Sequence, residues 1–306
     1  MTKRIVFAGE VMGELRSNGA GFAVGFAGDS FNAAVYCQRS LAQGDADVAQ
    51  VSYLTRIGQD PLSQGALDLA AQEGLKTDLI TRDETRNLGL YAVQTNDEGE
   101  RSFSYWRNQS AARALFSELQ ELSVLTQADI LCLSGISLAI LSPAQRTALL
   151  DRIEELRQTN GLRFAFDSNY RPSLWEDVET ARDTMRRAWM LTDIALPSVD
   201  DEMALFEDAD EAAVLHRLRS YGVDFGALKR ADKGPKALSE GFEDSADYPA
   251  AEQVVDTTAA GDSFNGGFLA AHLQGRPLQD CMMAGHMMAR TVVGHPGAII
   301  AQQKDS

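Results

Sequence analysis

Cysteine is scarce in this chain, and the few residues present do not form a pattern. Cys37, Cys132 and Cys281 stand far apart with no Cys-x-x-Cys among them, which excludes a disulfide framework and a zinc-binding pair. His216, His272, His286 and His295 show no metal-ligand spacing either and read as surface or core residues. No apolar run approaches the roughly 18 residues of a membrane span. The run that follows Arg4 ends at Gly9-Glu10, too early for the apolar region of a signal peptide, so a cytoplasmic protein with no membrane partner is expected. Positive charge is the other shortage. The formal net charge is −16 and no basic cluster offers a face to a phosphate backbone, so nucleic acid is not an expected partner.

What is present suits a folded α/β chain. With 306 residues, 44% hydrophobic and 24% charged, the sequence can bury a sizeable core without disulfides or metal. Short apolar runs at Arg4 to Gly9, Val48 to Leu54, Asp129 to Ser134, Arg163 to Asp167, Asp193 to Leu196 and Val223 to Leu228 read as strands. Between them, Phe31, Val35 and Leu41, Leu62 to Leu69, Leu149, Ile153 and Leu156, and Phe264 to Leu273 read as buried faces of helices. Such alternation predicts a mostly parallel sheet with right-handed crossovers and helices on both faces. No linker or repeat divides residues 1–306, so a single domain is expected.

Two stretches break the rhythm. Residues 13–26 are glycine-rich without helical period. Residues 88–107 hold two alternating segments around Asn96-Asp97-Glu98-Gly99, a hairpin signal in which Leu90, Ala92 and Gln94 face one way and Tyr91 and Val93 the other. Together they predict a small β-flap outside the main sheet.

The most informative segment runs from Val255 to Phe268. Small residues lead directly into a helix, so the free N–H groups of Ala259, Ala260, Gly261 and Asp262 can converge on an anion, and the Asp262 carboxylate stands in the first turn as a candidate proton acceptor. From the residues alone, a helix cap at Asp262 with small residues for close packing explains the segment equally. The segment resembles the Asp-Thr-x-Gly-Ala-Gly-Asp signature of the ribokinase-like (PfkB) family of carbohydrate kinases, with Ala259 at the first glycine position. Gly28-Asp29-Ser30-Phe31-Asn32 resembles the family's N-terminal signature, and the likeness spans nearly the whole chain. It implies a three-layer α/β sandwich with a β-flap lid, and ATP with Mg²⁺ as cofactors. Asp262 would be the base, with Ala259, Ala260 and Gly261 as the anion hole. Gly28, Asp29 and Asn32 would contact the sugar. Asp224-Phe225-Gly226 spells a protein-kinase triplet, but no accompanying kinase motif exists, and no Walker A or Gly-x-Gly-x-x-Gly loop is present.

Tyr105-Trp106-Arg107 and Asp167-Ser168-Asn169-Tyr170-Arg171 resemble the branch of the family that phosphorylates the sugar acid 2-keto-3-deoxygluconate. That likeness implies that Tyr91, Tyr105, Arg107, Ile136 and Arg171 line the sugar-acid site, the arginines serving a carboxylate. Against a net charge of −16 the site has to carry its own positive charge. For the nucleotide, the likeness points to Ser198, Lys229 and Gly234 together with Ala259 and Gly261. Pro197-Ser198-Val199-Asp200-Asp201 stands where the family has an Asn-x-x-Glu element that organises magnesium. A kinase of fructose, ribose or 2-keto-3-deoxygalactonate, and a sugar-acid-binding regulator without catalysis, are the competing expectations. The exposed flap edge and the family likeness predict a homodimer or higher homo-oligomer paired through the flap.

Overall fold

The apolar runs become strands because both faces of each are covered, the condition under which parallel strands read as continuous hydrophobic sequence. The computed structural model describes residues 2–17, 21–44, 47–95 and 101–302. Its strands are β1 (Lys3–Ala8), β2 (Met12–Ser17), β3 (Phe22–Ala27), β4 (Ala49–Ile57), β5 (Ile80–Arg82), β6 (Gly89–Thr95), β7 (Arg101–Trp106), β8 (Ile130–Ser134), β9 (Arg163–Asp167), β10 (Ile194–Ala195), β11 (Ala227–Leu228) and β12 (Lys236–Ala237). Its helices are α1 (Asp29–Ala42), α2 (Pro61–Gln72), α3 (Leu119–Ser123), α4 (Gly135–Ala139), α5 (Pro143–Thr159), α6 (Val178–Leu191), α7 (Val199–Phe206), α8 (Glu211–Ser220), α9 (Ala260–Leu273) and α10 (Leu278–Val293).

Six strands form one sheet in the order β10-β9-β8-β1-β4-β5, every pairing parallel. Parallel bridges Ala195–Gly226 and Ser198–Lys229 bring the antiparallel pair β11–β12 alongside β10. Alternation along β1 sorts the core into two halves. Ile5 and Phe7 face one layer with Phe31, Val35, Phe268 and Cys281 from α1, α9 and α10, while Val6 and Ala8 face the other with Leu149, Ile153 and Trp189 from α5 and α6. The result is helix, sheet, helix: three layers, as the sequence predicts. From β1 the order runs to β4 on one side and β8 on the other, so the carboxyl ends of β1 and β8 flank the reversal point where open α/β sheets bind ligands.

The second sheet has the order β3-β2-β6-β7, with β2 and β6 parallel and the flanking pairs antiparallel. It is built from the two stretches that break the helical rhythm. The turn at Asn96-Asp97-Glu98-Gly99 lies outside the described residues. The register sets Tyr91 opposite Tyr105 and Val93 opposite Phe103, which keeps Tyr91 and Val93 on one face, as the alternation predicts. One strand differs from expectation: of Val223 to Leu228 only Ala227–Leu228 forms a strand, preceded by the isolated bridge at Gly226, because the chain is still turning at Gly226, whose φ is +133°. The short strands β5 and β12 and the helices α7 and α8 carry too little periodic sequence to be read beforehand.

Candidate active site

The N-terminus of α9 is a prepared turn. Asp256 accepts from the N–H of Thr258 at 2.9 Å and of Gly297 at 2.7 Å, and the N–H groups of Val255 and Asp256 donate to the Val293 carbonyl. This fixes the loop against the end of α10. Ala259 has φ −115°, a conformation open to any residue, so alanine at the first glycine position of the signature is unstrained. One expected donor is withdrawn: the Ala260 N–H bonds the Thr257 carbonyl at 3.2 Å. The first-turn N–H groups of Gly261 and Asp262 have no partner among the described residues and point where a helix accepts an anion.

Asp262 is buried, and its Oδ2 accepts from Asn32 Nδ2 at 2.8 Å. Asn32 Oδ1 in turn accepts from the Gly28 N–H at 3.3 Å, so the amide of Asn32 ties the two signatures together. Burial, reinforced by the negative charges of Asp29 and Asp167, pushes the Asp262 carboxyl up to about 8, against the opposing pull of Asn32 and Lys229. A carboxyl held near neutrality is suited to take a proton.

Beside this turn lies a cluster that sequence reasoning largely missed. Lys229 enters from the end of β11, and its Nζ lies 2.8 Å from Asp167 Oδ2 and 3.2 Å from Asn265 Oδ1. Asn265 Nδ2 donates to Asp167 Oδ2 at 2.6 Å. A Cβ placed on Gly261 would stand 3.4 Å from the Lys229 ammonium, which brings a positive charge against the unpaired N–H groups. The signal was there in part: Asn265 is three residues beyond Asp262 and on the same face of the helix. Asp167 opens the Asp-x-Asn-x-Arg segment.

Among the residues expected at the sugar, Gly28 is required by the protein itself, since a Cβ there would meet the Glu10 carbonyl oxygen at 2.0 Å. Asp29 accepts from Asn169 Nδ2 at 3.0 Å and from the Ser134 hydroxyl, joining α1 to the ends of β8 and β9. Tyr91 is buried with its hydroxyl on Glu14, while Tyr105 is exposed on the same sheet face, ring centroids 5.9 Å apart. Ile136 is half-buried at the start of α4, beside the reversal point. The two arginines differ. Arg107 is buried and paired with Glu10, whereas Arg171 is half-exposed and pairs with Asp201 at 3.3 Å.

Of the residues expected at the nucleotide, Ser198 and Lys229 are joined by an isolated parallel bridge beyond the ends of β10 and β11. Gly234 has φ +71° and a Cβ there would meet Tyr248 at 2.9 Å, so its close approach is to Tyr248. Asp201, one-fifth exposed, stands in the first turn of α7; burial raises its carboxyl, opposed by Arg171. No group of three acidic, histidine or cysteine side chains able to hold a metal occurs among the described residues. The Asp201 carboxylate, partly exposed and shared with Arg171, fits an ion that keeps its waters and takes its other ligands from phosphate, which is the habit of Mg²⁺.

A buried carboxyl at a helix end with unpaired N–H groups, and an ammonium beside it, is an arrangement that can serve phosphoryl transfer. Residues 2–305 match the pfkB family carbohydrate kinase profile, and the chain belongs to that family. It is 41% identical over 310 residues to the 2-dehydro-3-deoxygluconokinase of Escherichia coli K12, covering 99% of both chains. It is likewise 41% identical over 306 residues to that of Dickeya dadantii, covering 98% of this chain and 97% of the relative. In three dimensions it is similar to the crystal structure of 2-dehydro-3-deoxygluconokinase from Thermotoga maritima, with TM-score 0.83, 20% identity, and coverage of 98% and 95% of the two chains. That likeness speaks to the fold, which is ribokinase-like.

Proposed function

We propose that this chain transfers the γ-phosphoryl group of ATP to the terminal hydroxyl of 2-keto-3-deoxygluconate, the compound also called 2-dehydro-3-deoxygluconate, to give its 6-phosphate. The observation that carries the chemistry is Asp262: a buried carboxyl at the unpaired N–H groups of a helix end. The substrate rests on the near full-length similarity to relatives bearing that name.

Asp262 removes the proton of the terminal hydroxyl while its oxygen bonds to the γ-phosphorus and the bond to the β-phosphate oxygen breaks, releasing ADP. The Gly261 and Asp262 N–H groups meet the charge that develops on the transferring group. Mg²⁺, when bound, neutralises phosphate charge, and Asp201 would hold it through water. Ser198, Lys229 and Gly234 border the nucleotide, and Gly28, Asp29, Asn32, Tyr91, Tyr105 and Ile136 the sugar. The four-stranded sheet serves as a lid on a single domain. Its exposed Phe22, Val24 and Trp106 share one face by register and support pairing with a second copy into a homodimer. Three buried free cysteines accord with a reduced, cytoplasmic setting.

Arg171 is the better candidate for the substrate carboxylate, because its exposed guanidinium can exchange Asp201 for a ligand, whereas Arg107 already holds Glu10. That both arginines carry acidic partners favours a second reading, a neutral ketose such as fructose. ADP release measured with magnesium and a panel of sugars and sugar acids separates the two: preference for 2-keto-3-deoxygluconate supports the first, preference for a ketose the second.

A further inference from the structure

Resting on the phosphoryl-transfer reading of Asp262 and the α9 turn, we infer that Lys229 is a catalytic residue that binds the γ-phosphoryl group in flight, and that Asp167 and Asn265 are the positioning residues that aim it. An ammonium has three donors and no acceptor. Two are taken, by Asp167 Oδ2 at 2.8 Å and Asn265 Oδ1 at 3.2 Å, and these partners are themselves joined by the 2.6 Å bond from Asn265 Nδ2. The third is left for the side on which Gly261 stands, 3.4 Å from the ammonium to the Cβ position that glycine leaves open. A side chain at position 261 would come into van der Waals contact with the ammonium on that side.

The arrangement differs from a structural ion pair in two ways. Lys229 and Asp167 are only 10% and 6% exposed, so the pair has been withdrawn from water next to two unpaired N–H groups. Three different elements supply the cluster: the end of β11, the end of β9 and the second turn of the helix that carries Asp262. A charge fixed in advance where negative charge develops needs no reorganisation during transfer. During the step the γ-phosphorus–oxygen bond to ADP breaks and the bond to the sugar oxygen forms. The Lys229 proton stays on nitrogen throughout, while the hydroxyl proton passes to Asp262.

Two variants test this: Lys229→Met, and Asp167→Asn/Lys229→Met, which removes both buried charges together and guards against misfolding of the single variant. Each is assayed for kcat with saturating 2-keto-3-deoxygluconate and MgATP, and for binding of ADP with and without aluminium fluoride, a planar mimic of the phosphoryl group in flight. Loss of one preorganised donor is worth about 10²–10³-fold in kcat, and that loss is expected in both variants. ADP alone should bind within about threefold of wild type, about half of one tenfold step in free energy, while the fluoride-dependent tightening disappears, as befits a contact made only in the transition state. An unchanged kcat in the folded double variant overturns the inference, as does a loss confined to ADP affinity, since both leave Lys229 outside the chemistry. Wild-type enzyme that tightens on ADP with aluminium fluoride yet ignores 2-keto-3-deoxygluconate would overturn the substrate reading and leave the lysine's role standing. Failure of the wild type to tighten would sink both.

Discussion

Replacing Asp262 with asparagine should make the protein more stable and nearly inactive. The amide keeps the shape and can still accept from Asn32 Nδ2, now 2.8 Å away, but it cannot take a proton. Because the folded carboxyl is held up to about 8 from an ordinary 3.8, the unfolded chain ionises first, and stability falls as pH climbs from about 4 to about 8. With allowance for relaxation around the ion, the loss at pH 8 is about 2–4 kcal/mol. Asp262→Asn removes it, so Tm at pH 8 should rise by about 3–6 °C for a chain of this length, with no gain at pH 4. Turnover should drop by about 10²–10⁴-fold, the range for losing a general base. Calorimetry at the two pH values and an ADP-release assay read the two effects separately. Retention of more than roughly a third of wild-type turnover, far inside that range, or a Tm at pH 8 below wild type, would refute the assignment.

The same carboxyl sets a pH profile: kcat/KM should fall about tenfold per pH unit below about 8, and a flat profile from pH 6 to 8 would contradict a role for Asp262 as the free enzyme's base. Arg171→Ala should weaken the sugar acid by more than about tenfold while sparing a neutral ketose, since a desolvated charge pair is worth about 2–5 kcal/mol; equal losses on both would assign Arg171 to phosphate or to the fold. Arg107→Ala should instead destabilise the protein by about 3–5 kcal/mol by leaving Glu10 buried without its partner, which urea titration measures, and Glu10→Gln/Arg107→Met should recover part of that loss. His272 accepts from Arg163 at 2.6 Å, and burial with that neighbouring charge holds its ring down to about 4. Above its ordinary 6.5 it contributes nothing pH-dependent. As pH falls from 6.5 toward 4 the unfolded chain takes up the proton first, so about 1–3 kcal/mol of stability should be lost, and His272→Gln should flatten that slope in denaturant titrations.

The central layer was legible because parallel strands buried on both faces leave unbroken apolar runs, as at β8 and β9. The flap hairpin was legible from alternation, while its register, with Tyr91 opposite Tyr105, comes from the fold. The turn that opens α9 was legible from small residues running into a helix, although hydrogen bonding occupies the Ala260 N–H that was expected to be free. Glu10, Ser134, Asp167 and Asn265 were not singled out, because a polar residue at the end of an apolar run has the same appearance whether it caps, packs or reacts. Only the fold shows that Asn265 meets Asp167 over 98 residues of sequence and Lys229 over 36. Strands of two or three residues, such as β12 and β5, leave no period to read.

The central claim, phosphorylation of a sugar acid by ATP, is tested most directly by measuring kcat/KM for ADP release with MgATP and 2-keto-3-deoxygluconate beside fructose and ribose, with the phosphorylated product identified by mass. The account predicts that the sugar acid leads both neutral sugars and gains one phosphoryl group. A ketose or ribose turned over faster than the sugar acid would contradict it, and would leave the family membership as the part that stands.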